Sequence, residues 1–465
     1  MGTQKFNTKY IFTISMVSAL GGLLFGYDWV VIGGAKPFYE QFFGIASSPS
    51  LQGWAMGSAL IGCLFGAMVS GVLSDRLGRK RLLIFSAFLF SLSAVGTGMV
   101  NAFPSFLVYR IIGGIGIGLA SNLSPMYIAE IAPAHMRGRF VSLNQLTIVM
   151  GILAAQLINW QIADPVPDAF TDAEILASWN GQMGWRYMFW AETFPAVLFF
   201  LLMFFVPESP RWLVKNGNPQ KVISILSQIG GDEYAKEEYA NIQKSVAHEK
   251  SKVDFHHLLE PGIRKVLLVG IVLAAFQQWC GINVIFNYAE EVFKAAGFGV
   301  SDILFNIVIT GSVNLIFTFV AIYTVDKLGR RALMLIGAGS LAIIYTIMGA
   351  AYYFHISGWI LLVLVLLAIA CYAMSLAPVV WVVISEIFPN KIRGAAMSIA
   401  TISLWLASFL LTYTFPILNN AFGASGTFWL YGLICLGGLW FIYKKLPETK
   451  GKSLEEIEND IVNNK

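Results

Sequence analysis

The amino-acid sequence predicts an all-α membrane protein with twelve transmembrane helices in two six-helix halves. Three observations indicate this fold class. The 465 residues are 57% hydrophobic and only 12% charged, long apolar runs recur along the chain, and three motifs occur twice in the same order. A soluble protein is nearer half apolar and a quarter charged. The composition is therefore that of a polytopic membrane protein, and it argues against an enzyme with a soluble core.

Apolar runs of about 20 residues are long enough to cross the hydrocarbon core of a bilayer as helices. The first run, 11–32, lacks a small-residue cleavage site and is followed by further runs, so we interpret it as a retained helix and not as a signal peptide. The predicted spans are 10–33, 52–74, 81–101, 104–127, 139–161, 185–206, 264–293, 302–324, 331–352, 357–386, 394–418 and 426–446.

Basic residues orient these spans. All but four of the 31 Lys and Arg fall in the two termini or in the loops that follow the even-numbered spans. Such an excess is typical of cytoplasmic loops, so both chain ends are predicted to be cytoplasmic. The exceptions are Lys36, Arg186 and Lys294, which are predicted on the opposite side, and Arg110, which lies inside span four.

Three motifs recur at matching spans, which indicates an internal repeat. They are D-R-L-G-R-K at 75–80 and D-K-L-G-R-R at 326–331, E-x-x-P-x-x-x-R-G at 130–138 and 386–394, and P-E-S at 207–209 with P-E-T at 447–449. Two halves related by a pseudo-two-fold axis along the membrane normal are typical of a rocking transporter. The predicted units are an N-terminal half 1–206, a cytoplasmic helical linker 207–263, a C-terminal half 264–446 and a cytoplasmic tail 447–465.

The repeated motifs place acidic and basic side chains together at the cytoplasmic ends of the spans. We predict that ion pairs between the halves close this side and break when it opens. The alternative is that these charges only fix the topology, but the positive-inside effect does not explain the paired Asp and Glu. The predicted gate residues are Asp75, Arg79, Glu130, Arg137, Arg330, Glu386 and Arg393.

Four carboxamides lie in span seven, at Gln277, Gln278, Asn283 and Asn287. Such groups are costly in lipid, so they are predicted to face the protein interior or a water-filled path. Each one donates and accepts hydrogen bonds, which suits a neutral ligand with many hydroxyls. Gly281 permits a local break in this helix or a close contact with another helix. The alternative interpretation is that the carboxamides only join helices to one another.

Three ionisable residues fall inside spans of the first half, at Asp28, Arg110 and Glu192. Each lies about five to seven residues from the outer end of its span, so all three share one depth in the outer leaflet. A lone charge there costs several kcal/mol, which predicts mutual pairing. The pairing is either a static ion pair or a proton site in which Asp28 alternates between Arg110 and a proton.

Other patterns point away from rival functions. The four cysteines show no metal spacing or disulfide framework and are interpreted as small core residues. The run G-G-I-G-I-G at 113–118 has no preceding strand and is interpreted as close helix packing, not as a dinucleotide loop. His256 and His257 are interpreted as solvated, and the basic clusters are too short for nucleic-acid binding. No cofactor and no metal are expected.

Taken together, the motifs resemble those of the sugar porters of the major facilitator superfamily, and among them the bacterial xylose–proton symporters, over nearly the whole chain. The resemblance is carried by Gly26-Tyr27-Asp28, the 75–80 and 326–331 loops, Arg110 with Gly114, Gly116 and Gly118, 207–211, Gln277-Gln278 with Asn283, Pro378 with Trp381, and 447–449.

The resemblance implies a sugar site and a proton site. The implied sugar-binding residues are Gln145, Gln277, Gln278, Asn283 and Trp381, with Asn287 standing where the family usually has Tyr. Asp28 and Arg110 match the family's proton-coupling pair, and Glu192 matches a supporting carboxylate. Ile152, Ala377 and Leu404 also depart from the family pattern, and these departures leave the identity of the sugar open.

The resemblance implies a proton symporter that imports a monosaccharide, D-xylose or a related pentose or hexose such as glucose, by alternating access. One alternative is a proton-independent uniporter, which would not need Asp28. Another is a sugar sensor that does not transport, against which the short C-terminal tail argues. The expected partners are sugar, protons and the lipid bilayer, and we expect a functional monomer in a bacterial inner membrane.

Overall fold

The computed structural model describes residues 6–167, 170–248, 261–388 and 393–448. Within these ranges the chain is helical and contains no β-strand. Eleven helical stretches of the described chain are long and apolar enough to cross a membrane. The all-helical membrane fold predicted from composition and hydropathy is confirmed at this level.

The helices follow one another with short connections. Those before the linker are α1 Thr8–Phe42, α2 Pro49–Leu77, α3 Arg79–Met99, α4 Phe103–Ile131, α5 Arg137–Ile162, α6 Asp172–Ala177, a π-helical turn Asn180–Gly184, α7 Trp185–Ala191 and α8 Thr193–Met203. The linker holds α9 Pro210–Lys215 and α10 Pro219–His248. After it come α11 Pro261–Trp279, α12 Ile282–Asn287, α13 Ala289–Ala295, α14 Val300–Leu328, α15 Arg330–Tyr353, α16 Trp359–Met374, α17 Leu376–Ile387 and α18 Arg393–Lys445.

The packing of the helices divides them into two sets. Within α1–α8, here called the N-terminal half, α2 and α3 pack on α4 and α1 packs on α5. Within α11–α18, the C-terminal half, α11 and α15 pack on α18 and α14 packs on α16. The halves meet along α2 with α18, along α5 with α14, and where α1 contacts α12 and α13. The interface between the halves therefore runs past the broken helix that contains the predicted ligand residues.

Helix α1 is longer than predicted. The apolar run suggested a span over 10–33, but the helix continues through Pro37 to Phe42. Lys36, which is predicted on the outer side, lies within this helix and is only 2% exposed. A proline within a membrane helix is tolerated where neighbouring groups satisfy the freed carbonyl. The charged Lys36 ends the apolar run that defined the predicted span, but the helix itself continues past it.

The last helical run, α18, has 53 residues. At about 1.5 Å per residue it is roughly 80 Å long, more than twice the thickness of a hydrocarbon core. The run is interrupted at Gly423, whose φ of 66° and ψ of 176° are not helical.

The linker helices and the cysteines bear on two further predictions. The polar linker contains helices, as expected, and α10 bends at Gly231, where φ is 83°. All four cysteines are free, and Cys63, Cys280 and Cys435 are buried among apolar side chains. They behave as small core residues. His256 and His257 lie outside the described residues.

Candidate functional site

The seventh predicted span is a broken helix. α11 ends at Trp279, and Gly281 adopts a left-handed conformation with φ 87° and ψ −9° before α12 begins. A second interruption at Tyr288 separates α12 from α13. Because only glycine adopts the left-handed conformation at little cost, Gly281 permits this break, which is one of the two roles that the sequence allowed for it.

Three of the four carboxamides around this break form a hydrogen-bonded chain. Asn283 Nδ2 donates to Gln278 Oε1 at 2.5 Å, and Gln278 Nε2 donates to Gln277 Oε1 at 3.4 Å. Gln277 Nε2 in turn donates to the carbonyl oxygens of Leu376 and Ala377, at 3.2 and 3.0 Å. All three side chains are less than 9% exposed, so the chain lies in the protein interior and not in lipid.

The carbonyls that Gln277 reaches belong to a second broken helix. α16 ends and α17 begins around Ser375, whose φ of −126° and ψ of −86° are not helical. Gln277 donates to two carbonyl oxygens in the first turn of α17, so it joins the break after α11 to the start of α17. Gln278 and Asn283 extend the row of hydrogen bonds away from that contact.

No described hydrogen bond joins the other predicted sugar residues to Gln277, Gln278 or Asn283. Gln145 is half-buried on α5, and Trp381 is 38% exposed on α17. Asn287 is buried, and its Oδ1 has no partner among the described residues. Asn287 also lines a small cavity together with Trp29 and Arg110 of the N-terminal half. One predicted sugar residue, Asn287, and one predicted proton residue, Arg110, therefore line the same cavity.

An aromatic contact between the halves was missed by the sequence analysis. The Trp405 ring on α18 lies 5.9 Å from the Phe25 ring and 6.1 Å from the Trp29 ring, both on α1. Trp405 is 3% exposed, and its Nε1–H has no partner among the described residues. The one sequence feature that pointed to Trp405 was its neighbour Leu404, which departs from the family pattern at a position predicted to matter for the sugar.

The structure brings the three predicted buried charges together. Arg110 Nη1 pairs with Asp28 Oδ1, and Arg110 Nη2 donates to the Asp28 carbonyl oxygen at 3.3 Å. Glu192, at the junction of α7 and α8, faces the Asp28 carboxyl. All three side chains are about 1% exposed.

This triad has one cation and two carboxyl groups. Asp28 Oδ2 and Glu192 Oε1 are both buried and lack a described donor. Two carboxylates that face each other away from water cannot both ionise cheaply, so one proton shared between them lowers the free energy. The arrangement can hold a proton beside the Asp28–Arg110 ion pair.

Ion pairs also form at the helix ends that are predicted to face the cytoplasm. Arg79 Nη2 lies 2.9 Å from Glu130 Oε1, and Arg79 Nη1 lies 3.3 Å from Asp75 Oδ1. In the C-terminal half, Arg330 Nη2 lies 3.2 Å from Glu386 Oε1. Each of these pairs joins residues of one half.

The predicted pairs between the halves at this end therefore stay a prediction. Arg137 begins α5 and is exposed. The side chain of Arg393 lies outside the described residues.

The third repeated motif has the same structural role in both halves. Glu208 Oε1 accepts hydrogen bonds from the backbone N–H groups of Arg79 and Lys80, at the start of α3. Glu448 accepts in the same way from Arg330 and Arg331, at the start of α15. Carboxylates stabilise helix N-termini, where N–H groups lack partners. Burial raises the pKa of Glu208, and these N–H donors oppose that shift.

Gly281→Ala is expected to lower thermal stability. The new Cβ would lie 2.9 Å from Tyr431 Cγ, and the left-handed conformation costs a non-glycine residue about 1–2 kcal/mol before any clash. Apparent melting temperature in detergent measures the change. Gly437→Ala is the matched control because a Cβ there meets nothing within 4 Å. Equal melting temperatures for the two variants would contradict the prediction.

Comparisons with known proteins agree with this geometry. A family model described as "Sugar (and other) transporter" matches residues 14–461. The D-xylose-proton symporter of Escherichia coli (strain K12) is 42% identical, with 98% of this chain and 97% of that protein covered. The arabinose-proton symporter of Bacillus subtilis (strain 168) is 40% identical, with 98% and 96% covered.

A solved structure supports the same relationship. The inward open conformation of the xylose transporter from E. coli matches with a TM-score of 0.83 and 40% identity, over 96% of this chain and 99% of that one. The resemblance predicted from the sequence is thereby confirmed, and the chain is an integral membrane protein. It belongs to the sugar (and other) transporter family.

Proposed function

We propose that this protein imports a monosaccharide together with a proton, by alternating access. The observation that carries the proposal is the triad of Asp28, Arg110 and Glu192, placed beside a cavity that reaches Asn287. A uniporter does not need a buried acid such as Asp28, whose ion pair with Arg110 weakens when the acid is protonated. The names of the similar xylose– and arabinose–proton symporters support the same function, with D-xylose or a related pentose or hexose as substrate.

The proposed architecture has twelve spans, because the long run α18 supplies two that are separated at Gly423. The proposed units are two pseudo-symmetric six-helix halves at 1–206 and 264–446, a cytoplasmic linker at 207–263 and a cytoplasmic tail at 447–465. The matching roles of Glu208 and Glu448 at α3 and α15 support this symmetry. The Lys and Arg distribution supports cytoplasmic termini, and we propose a monomer in a bacterial inner membrane.

The proposed sugar site lies between the two broken helices and α5. Gln145, Gln278, Asn283 and Asn287 offer carboxamides to hydroxyls, while the face of the Trp381 indole packs on the C–H face of the sugar ring. Gln277 positions the break at Ser375 and completes the set.

The proposed proton step uses the triad. With Asp28 ionised, Arg110 is held on α1 by its ion pair. Protonation of Asp28 weakens that pair and leaves Arg110 free to seek other acceptors, of which Asn287 Oδ1 lines the same cavity. Protonation of Asp28 and a new contact between Arg110 and Asn287 would thus occur together, which couples the proton to the sugar site.

Trp381→Ala and Gln278→Ala are each expected to weaken sugar binding without unfolding the protein. A lost hydrogen bond from Gln278 to a sugar hydroxyl costs about 0.5–1.5 kcal/mol, which is roughly 2- to 12-fold in Kd, and loss of the Trp381 ring face is expected to cost a comparable amount. Isothermal titration with the cognate sugar measures this. Trp440→Ala, at a side chain 63% exposed, is the control for loss of an indole. Unchanged affinity in both site variants would remove these residues from the site.

Counterflow in proteoliposomes tests the function itself. A panel of labelled pentoses and hexoses identifies the substrate, and each sugar is measured with and without a pH gradient. Symport predicts accumulation above equilibrium only when the outside is acidic. Exchange that is insensitive to the gradient would favour the uniporter, and binding without exchange would favour the sensor.

A further inference from the structure

A buried ion cluster lies on α1 two turns beyond the Asp28 site. Lys36 Nζ lies 3.0 Å from Glu40 Oε2, 3.4 Å from Glu290 Oε2 and 2.6 Å from Glu291 Oε1. Gln52 Nε2 also donates to Glu40 Oε2, at 3.2 Å. Eight residues separate Lys36 from Asp28, which is about 12 Å along the helix. The cluster therefore lies toward the outer side of the proposed transport path.

The cluster joins the two halves. Lys36 and Glu40 belong to α1 of the N-terminal half, whereas Glu290 and Glu291 lie in α13 of the C-terminal half. α13 directly follows Asn287 and the interruption at Tyr288. An ion pair across this contact therefore fixes the position of the segment next to the proposed sugar site.

Other contacts between the halves lie close by. A Cβ on Gly33 would lie 3.1 Å from the Phe286 carbonyl oxygen, so the α1 and α12 backbones nearly touch. Farther out, Val166 N donates to Ser301 Oγ at 2.9 Å. These contacts show that this end of the interface is closed.

The charges of the cluster do not balance. One ammonium faces three carboxyl groups, and Glu40 Oε1 and Glu291 Oε2 are buried without a described partner. Burying a charge is costly unless it is paired, so Lys36 is what makes the contact of these carboxyl groups across the interface favourable. Glu40 lies four residues from Lys36 on the same helix and keeps it paired if α13 moves away.

We propose that Lys36, Glu290 and Glu291 form an ionic lock that closes the outer side of the transport path, and that Glu40 holds Lys36 while the lock is open. The proposal rests on the alternating access proposed above. It assigns the two kinds of carboxyl group different roles. Glu290 and Glu291 on α13 pair with Lys36 only when the outer side is closed. Glu40 on α1 pairs with Lys36 whether the outer side is closed or open.

Labelling of a cysteine below the lock tests this assignment. Ile32 lies one turn below Lys36 and lines the cavity with Cys63, so the reporter is Ile32→Cys in a Cys63→Ala background. The rate of reaction with a membrane-impermeant maleimide added from outside reports opening of the outer side. The Cys63→Ala background alone measures the reaction of the remaining cysteines.

Two changes are expected to open the lock. Lys36→Met leaves three carboxyl groups facing one another, and Glu290→Gln with Glu291→Gln removes both partners on α13 while Lys36 stays paired with Glu40. Each is expected to raise the labelling rate about tenfold or more. A tenfold rise corresponds to a loss of about 1.4 kcal/mol in the stability of the outer-closed state relative to the open state. The double glutamine variant strands no charge, so it reports on the lock even if Lys36→Met does not fold.

Glu40→Gln is the matched control. It removes a carboxylate of the same cluster but leaves both pairs across the interface, and it takes away the partner of Lys36 in the open state, so labelling is expected to stay at or fall below the starting rate. The proposal is overturned if the double glutamine variant labels at the starting rate, or if Glu40→Gln raises labelling as much as that variant does. Labelling needs no substrate, so a failure to find a transported sugar leaves this test unchanged.

Discussion

Asp28→Asn is expected to abolish sugar accumulation driven by a pH gradient while sugar binding and counterflow exchange persist. The variant mimics a permanently protonated Asp28. Arg110 loses its carboxylate partner, and the carrier no longer needs a proton in order to change state. Glu192 keeps its place beside residue 28 but has no second acid with which to share a proton. Exchange survives because the sugar residues are untouched.

The size of the effect follows from the energetics of a neutral substrate. A sugar gains nothing from the membrane potential by itself, whereas a co-transported charge gains about 2.3 kcal/mol per 100 mV. At one proton per sugar this supports roughly fifty-fold accumulation. Loss of the proton step removes that driving force completely, so uptake should stop at equal concentrations on both sides.

Uptake into proteoliposomes with an acidic exterior and an interior held about 100 mV negative measures accumulation, and counterflow at equal pH measures exchange. Asp302→Asn is the matched control because Asp302 is an exposed acid in the first turn of α14. It should accumulate sugar as the unchanged protein does. Full gradient-driven uptake by Asp28→Asn would leave Asp28 as a structural partner of Arg110 and would contradict the coupling mechanism.

The same triad illustrates what a sequence can predict. Each span must be apolar over about 20 residues, so a charge inside one is conspicuous, and its depth can be counted along the helix. That count placed Asp28, Arg110 and Glu192 at one level. The same count could not show the ion cluster around Lys36, because the partners Glu290 and Glu291 lie some 250 residues away and only the fold brings them together.

The candidate site shows the same limit. Carboxamides in an apolar run indicated a polar interior, and Gly281 allowed a break in the helix. The bonds from Gln277 to the Leu376 and Ala377 carbonyls depend on a second break at Ser375, which the sequence analysis did not predict. The repeated P-E-S and P-E-T motifs marked Glu208 as a feature shared by the two halves. Its role as a cap of α3 depends on a tertiary contact that only the fold shows.

Gly114→Ala is expected to destabilise the protein strongly. The glycine run at 113–118 predicted close helix packing, and a Cβ on Gly114 would lie 1.9 Å from the Ala59 carbonyl oxygen on α2. No rotamer can relieve a contact between a Cβ and a backbone atom, so α2 and α4 must move apart along their interface. Overpacking typically costs about 1–3 kcal/mol, and this contact belongs at the upper end or beyond it.

Apparent melting temperature and the monodisperse fraction after heating in detergent measure the loss. Gly71→Ala is the matched control, since Gly71 is exposed on α2 and a Cβ there meets nothing within 4 Å. That variant should keep or slightly raise stability, by up to about 1 kcal/mol, because alanine favours the helix. Arg110 lies one turn from Gly114, so Gly114→Ala should also disturb the ion pair with Asp28 and impair gradient-driven uptake. A Gly114→Ala protein with unchanged melting temperature would mean that α2 and α4 are not held in backbone contact.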